Sequence, residues 1–307
     1  MQKTRSLTLI TALILTATVA QAQVELHQEH TFDARPGQTV SIDVSFHRVE
    51  IKIQPGAEVH AVVDLSASGS SGKAERAIEE LAPVFSEKGD TIIIRSTRKG
   101  GWNWSSGKIK GEVTVTMPPD LNLTVDSSSG SVTIDGDLGD GNVNCDASSG
   151  SVTVRGAMQH LNADTSSGSI KAEVSRPLES FNADASSGSI RLRGGAHRAS
   201  VDTSSGSITL SGLRGDAEMS ASSGSISAQW DSIPPGASID AGASSGSVTL
   251  ELPAGTEISG RASTSSGGIR SDFPGTLEKR SATFRGGSGA VEVRVSTSSG
   301  SVKVLEN

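Results

Sequence analysis

The stretch NADTSSGSIKAEVSRPLESFNADASSGSIRLRGG, residues 162–195, writes the phrase N-A-D-[TA]-S-S-G-S-I twice, 20 residues apart. The string S-S-G-S recurs along the chain with its glycine at Gly130, Gly150, Gly168, Gly188, Gly206, Gly224, Gly246 and Gly300. A ninth copy, S-S-G-G, has Gly267. Intervals of 18–22 residues up to Gly267 are the signature of a solenoid, in which each repeat is one structural unit.

Alignment on the glycine exposes the core. Two positions later stand Val132, Val152, Ile170, Ile190, Ile208, Ile226, Val248, Ile269 and Val302, all β-branched. Five positions earlier stand Val125, Cys145, Ala163, Ala183, Val201, Met219, Ala241, Ala262 and Val295. Polar residues fill the places between. This alternation has period two on both sides of the glycine, so each repeat holds two short strands with one face inward. A single pair of such strands cannot bury its apolar face, but stacked rungs place Val on Val and Ile on Ile at about 4.8 Å per step. Eight steps taken in chain order from Gly130 to Gly300 give a rod of roughly 40 Å. The expected fold is therefore all-β, a parallel β-solenoid. At the corner the glycine is expected to supply φ > 0, with the serine hydroxyls bonding nearby backbone.

The flanking sequence sets the remaining organisation. Lys3 and Arg5, an apolar run and the A-x-A site at residues 20–22 make a secretory signal peptide. Residues 23–117 read as a β-rich N-terminal part, with degenerate rungs in QTVSIDVSFHRVEIKI (38–53) and strands at 57–65, 91–96 and 112–117. Within it, Ala74, Ile78, Leu81 and Phe85 follow helical spacing, which predicts one short helix over 74–85, closed by Pro83, as a cover for the stack. Residues 118–307 form the repeat array, whose last rung ends three residues after Val304 and is expected to be poorly capped, a route to self-association.

The serial turns, the lead-in MPPDLNLTVDSSSGSVTI (117–134) and the ending RGGSGAVEVRVSTSSGSVKV (285–304) resemble the bacterial DUF4097 family, labelled "putative adhesin", whose members form β-solenoids. The resemblance covers nearly all of the chain after the signal peptide. It implies the solenoid and an adhesin-like role, and it carries over no catalytic residue.

Composition bounds the function. Without Lys3 and Arg5 the net charge falls from −7 to −9, and no basic tract interleaved with aromatics offers a nucleic-acid surface. Cys145 is the only cysteine, so no internal disulfide forms. The six histidines, at 27, 30, 47, 60, 160 and 197, show no paired metal spacing, and no nucleophile elbow is present. Asp126, Asp146, Asp164, Asp184 and Asp202 all stand four residues before a corner glycine and face outward. The expectation for them is turn chemistry, each accepting N–H groups of its own corner. The alternative is a Ca²⁺ ladder or a catalytic carboxylate row. Trp102 and Trp104, in KGGWNWSSGK, are the candidate contact for a ligand or partner, against a role as a plug over the solenoid end. Arg214-Gly215-Asp216 spells an adhesion tripeptide at a place where a polar turn is needed anyway.

The sequence thus points to a non-enzymatic, exported module of the cell envelope, periplasmic or secreted to the surface. It is expected to bind an envelope protein or a glycan, or to serve as a scaffold, without a cofactor and without a transmembrane segment in the mature chain. The alternatives are a polysaccharide-active β-helix enzyme and a regulatory partner in envelope stress.

Overall fold

The computed structural model describes residues 23–69, 71–96 and 108–307. Two long sheets face each other across a single core, one of 13 strands and one of 14. Each S-S-G-S repeat supplies one strand to each sheet, with the S-S-G-S turn as the link. In the first repeat these are β8 (Asn122–Ser127) and β9 (Val132–Asp135). Every repeat strand pairs in parallel with its counterpart one rung away, Asp146 against Asp126 and Val152 against Val132. The solenoid is two-sided.

The rungs continue beyond the S-S-G-S repeats. Strands β2 (Thr39–Val44) and β3 (Arg48–Ile53) stack directly on β8 and β9, and β6 (Thr91–Ser96) and β7 (Lys108–Met117) stack outside them. Beyond β7 the first sheet adds β4 (Glu58–Ser68) and then β1 (Gln23–Asp33), both antiparallel; the second adds only β5 (Pro83–Lys88). The first sheet is thus one strand longer at this end. Helix α1 (Ser71–Leu81) stands in for the missing layer, burying Ala74, Ala77 and Ile78 against β1 and β4. The helix ends four residues before the predicted 85. Pro83 has no N–H to continue it, and Phe85 lies in β5 opposite Ile94.

At the other end the stacking order departs from chain order. The last two strands, Val291–Thr297 and Val302–Glu306, pair on one side with Ser238–Ala243 and Val248–Leu252. On the other side they pair with Ile258–Thr264 and Ile269–Ser271. The C-terminal rung is therefore interior, which corrects the expectation of a poorly capped last rung. The true terminal rung is covered on one sheet by the antiparallel strand Ser281–Phe284.

The core follows the aligned columns. Val132, Val152, Ile190 and Ile208 are inaccessible, as are Ile134, Val154 and Leu192. Where one rung brings a large side chain, its neighbours on the same strand are small: Phe181 shares its strand with Ala183 and Ala185, and all three are buried. Such compensation keeps the gap between the sheets uniform, as close packing requires.

Candidate functional site

The S-S-G-S turns form a continuous ridge along one side of the rod. At Gly188 a Cβ would lie 2.5 Å from the carbonyl carbon of Gly168 and closer still to its oxygen. The same collision recurs at every corner glycine from Gly130 to Gly300, and none of these nine has φ > 0. The glycine is thus required because successive rungs touch backbone to backbone, not because the turn is left-handed, and the conformational expectation is corrected.

The corner is held by a ladder between rungs. The N–H groups of Ser186 and Ser187 donate to the carbonyls of Thr165 and Ser166, both at 3.0 Å. The N–H of Ser189 donates to Oγ of Ser169 at 3.3 Å, and Ser207 does the same to Ser189. Three residues before the glycine, Ala and Thr alternate along four rungs as Ala147, Thr165, Ala185 and Thr203. Each buried Thr hydroxyl reaches back to the glycine carbonyl of the Ala rung before it, Thr165 to Gly150 (3.2 Å) and Thr203 to Gly188 (3.0 Å). Thr165 also accepts the N–H of its own Gly168 at 2.9 Å. Thr165, and Ser127 in the first rung, thus accept the corner glycine N–H, the role expected of the aspartates, while Thr203 only donates. Among the described residues no side chain of the five aspartates accepts a corner N–H.

The aspartates instead line the outer face of the second sheet. They stack in register, and Asp43 of β2 extends the column to six. Arg95 closes one end, its Nε 2.8 Å from Asp43, and Ser220 follows Asp202 at the other. Partial burial and then the neighbouring carboxylates push the Asp126, Asp164 and Asp184 carboxyls above the usual range. Beside this column runs one of amides and hydroxyls: Thr124, Asn144, Asn162, Asn182 and Ser200. Asn182 donates to Oδ1 of Asn162 at 2.7 Å. Among the described residues no three Asp, Glu, His or Cys side chains converge as a metal-binding group.

The opposite face carries mixed charge. Arg155 bridges Asp135 (3.2 Å) and Glu173 (3.4 Å), and Lys171 meets Glu173 at 3.0 Å. Near the N-terminal end two open clefts of about 500 and 580 Å³ share Arg48, Lys110 and Gly111; a third of about 450 Å³ lies at the far end, beside Phe273 and Arg285.

Other sequence candidates resolve individually. Cys145 is buried in its inward column, and burial pushes its thiol up to about 12. Arg214-Gly215-Asp216 is a tight link rather than a projecting loop: Gly215 accepts the indole N–H of buried Trp230 at 2.8 Å, and Asp216 pairs with Arg198. Trp102 and Trp104 lie outside the described residues. His47, which spacing alone did not single out, occupies the corner-glycine position of the β2–β3 rung. Its side chain fits there because the adjacent residue of the next rung is Gly111, where a Cβ would meet the imidazole at 2.5 Å. The ring stacks on Phe46 at 4.4 Å, is fully buried, and has no hydrogen-bond partner among the described residues; burial lowers it to about 4.

The sequence profile of the family described as Toastrack DUF4097 matches residues 39–305. The chain belongs to this family. The matched span runs from β2 to the interior C-terminal rung, so it takes in the regular repeats and the rung that departs from chain order. Among solved structures, the chain resembles a "putative adhesin" from Bacteroides fragilis (14% identity, 92% of this chain and 97% of that one, TM-score 0.43). It also resembles a "putative lipid binding protein" from Parabacteroides distasonis (18% identity, 91% and 96%, TM-score 0.46). A "putative adhesin" from the same species is similar at 12% identity (91% and 97%, TM-score 0.37). No curated protein matches the chain in sequence.

Proposed function

We propose that this toastrack protein is a non-enzymatic, exported binding or scaffold module of the bacterial cell envelope, periplasmic or surface-exposed, whose ligand is an envelope glycan or protein. The observation that carries the proposal is the outer face of the second sheet. Over six rungs it presents parallel columns of carboxylate, amide and hydroxyl groups at rung spacing, about 4.8 Å. Such a face suits an extended ligand that repeats its own hydrogen-bonding groups along the rod, and it suits poorly the convergent geometry that a reaction centre needs. The adhesin label that two of the three similar structures carry agrees with this role by analogy only.

The test is retention of fractionated envelope polysaccharide and envelope protein on immobilised protein. It compares the native chain with a variant carrying Asn162→Lys and Asn182→Lys, which places two long cations on the face. Retention that the variant loses supports the proposal. Retention that the variant keeps assigns binding elsewhere, and no retention removes the binding function. Release of new reducing ends from the polysaccharide would favour the enzyme alternative.

A further inference from the structure

Sheet ends are the places where a solenoid is vulnerable to pairing, and three of the four ends here are blunted. Strand β5 has six residues, begins at Pro83 and carries Glu87 and Lys88. The far ends are strands of three residues (Ile269–Ser271) and two (Thr276–Leu277). Short length, proline and charge are the usual protections of an edge. Strand β1 has none of the geometric ones. It is eleven residues long, lacks Pro and Gly, and runs in unbroken register with β4 from Gln23 opposite Ser68 to Asp33 opposite Glu58. Among the described residues no strand pairs with its other side.

The register shows which groups face the open side. Ala34 donates to the Ala57 carbonyl at 2.9 Å, continuing the same pairing, so the even-numbered residues bond β4. The odd-numbered residues, Gln23, Glu25, His27, Glu29, Thr31 and Asp33, direct their N–H and C=O groups outward. Their side chains lie on the outer face, while Val24, Leu26 and Phe32 are buried under the sheet.

We propose that β1 is a homodimerisation edge, pairing antiparallel with β1 of a second copy about a two-fold axis at Gln28. Two odd residues can oppose each other only when their numbers sum to an even value, and the sum of 56 gives full overlap because Gln28 is the midpoint of the strand. The resulting pairs are complementary. His27 faces the partner's Glu29, Glu25 faces the partner's Thr31, and on the inner face Val24 meets the partner's Phe32.

An independent observation marks the axis itself. The side-chain oxygen of Gln28 is buried and has no hydrogen-bond partner among the described residues. A stranded amide oxygen is costly. At the proposed axis Gln28 opposes its own copy at a non-hydrogen-bonded pair, where side chains are closest. The two amides can then turn to donate to each other. The two 13-stranded sheets would become one continuous sheet, an isologous closed interface.

Sedimentation equilibrium of the purified protein at micromolar concentration tests the proposal, and a dimer is expected. Glu29→Pro removes an outward N–H while leaving every β1–β4 bond, so it should weaken the dimer at least tenfold with an unchanged far-ultraviolet spectrum. Gln28→Cys places two thiols opposite each other and should give a disulfide-linked dimer on mild oxidation, without background from buried Cys145. Glu29→Cys, opposite His27 of the partner, should cross-link far more slowly. A monomeric native protein overturns the proposal, and so does a dimer that Gln28→Cys fails to cross-link.

Discussion

Replacing Gly188 by alanine is the sharpest test of how this stack is held. Gly188 is not among the glycines with positive φ, so alanine brings no left-handed strain there. Its methyl carbon would lie 2.5 Å from the Gly168 carbonyl carbon, against an ordinary contact of about 3.5 Å or more. The carbonyl oxygen is nearer still, so the two rungs must part locally by more than about 1 Å. Four bonds cross this gap at the corner: Ser186 to Thr165, Ser187 to Ser166, Ile170 to Ser189, each at 3.0 Å, and Ser189 to the Ser169 hydroxyl at 3.3 Å. An additional ångström takes all four outside bonding range. At about 1 kcal/mol per bond the cost is about 3–4 kcal/mol. Gly236→Ala is the control, because Gly236 has φ +76° and open space around its Cβ position. Strain alone should cost about 1–2 kcal/mol there. Urea denaturation followed by far-ultraviolet circular dichroism measures both. A Gly188→Ala loss equal to or smaller than that of Gly236→Ala would refute backbone contact as the reason for the corner glycine.

Three further outcomes are expected. Asp164→Asn should raise stability at neutral pH by about 2 kcal/mol at low salt, since each of its two neighbouring carboxylates, Asp146 and Asp184, repels by about 0.9 kcal/mol at the dielectric of water; the gain should shrink in urea titrations at high salt. The raised carboxyls of Asp126, Asp164 and Asp184 bind protons more tightly in the folded state, so their contribution is full below the unfolded value of 3.8 and is lost as pH rises through the folded values. His47 acts oppositely: it is held neutral at about 4 against 6.5 unfolded, so its contribution, about 3 kcal/mol, is present above pH 6.5 and disappears as pH falls to about 4. Melting temperatures of His47→Gln across that window should lose this acid sensitivity. Thr203→Val keeps the shape but strands the Gly188 carbonyl, and denaturation should show a loss of about 1–2 kcal/mol.

Much of the architecture could be read from the sequence because the apolar columns repeat in one dimension. Val132 to Val302 declare the strands, their inward face and the stacking. What the columns do not declare is which rung touches which, because a Val or Ile column fits equally well in any order. Only the 33-residue gap before Gly300 hinted that the last rung was exceptional. The reason for the glycine was missed on similar grounds: a turn glycine and a contact glycine look alike until the neighbouring rung is placed. Asp43 escaped the column because its rung lacks the S-S-G phrase, and His47 escaped the corner for the same reason. The Thr–Ala alternation was visible in the sequence, but its meaning lies in bonds that cross between rungs. The helix was found from its spacing and overextended at its end, where Phe85 mimicked the next helical position while belonging to β5.

The interior placement of the C-terminal rung bears on how the chain reaches its final state. Residues 258–271 leave the ribosome before residues 291–306, yet they sit farther from the repeats. A stack growing from its N-terminal side can therefore add them only across a vacant slot one rung deep. That slot is filled by the strands Val291–Thr297 and Val302–Glu306. Closure of the rod thus waits for residues 291–306: without them the stack would carry two unpaired faces in place of one closed core. Such an open stack would expose unpaired strand edges, the usual start of aggregation and proteolysis, so the late insertion is also what seals the rod.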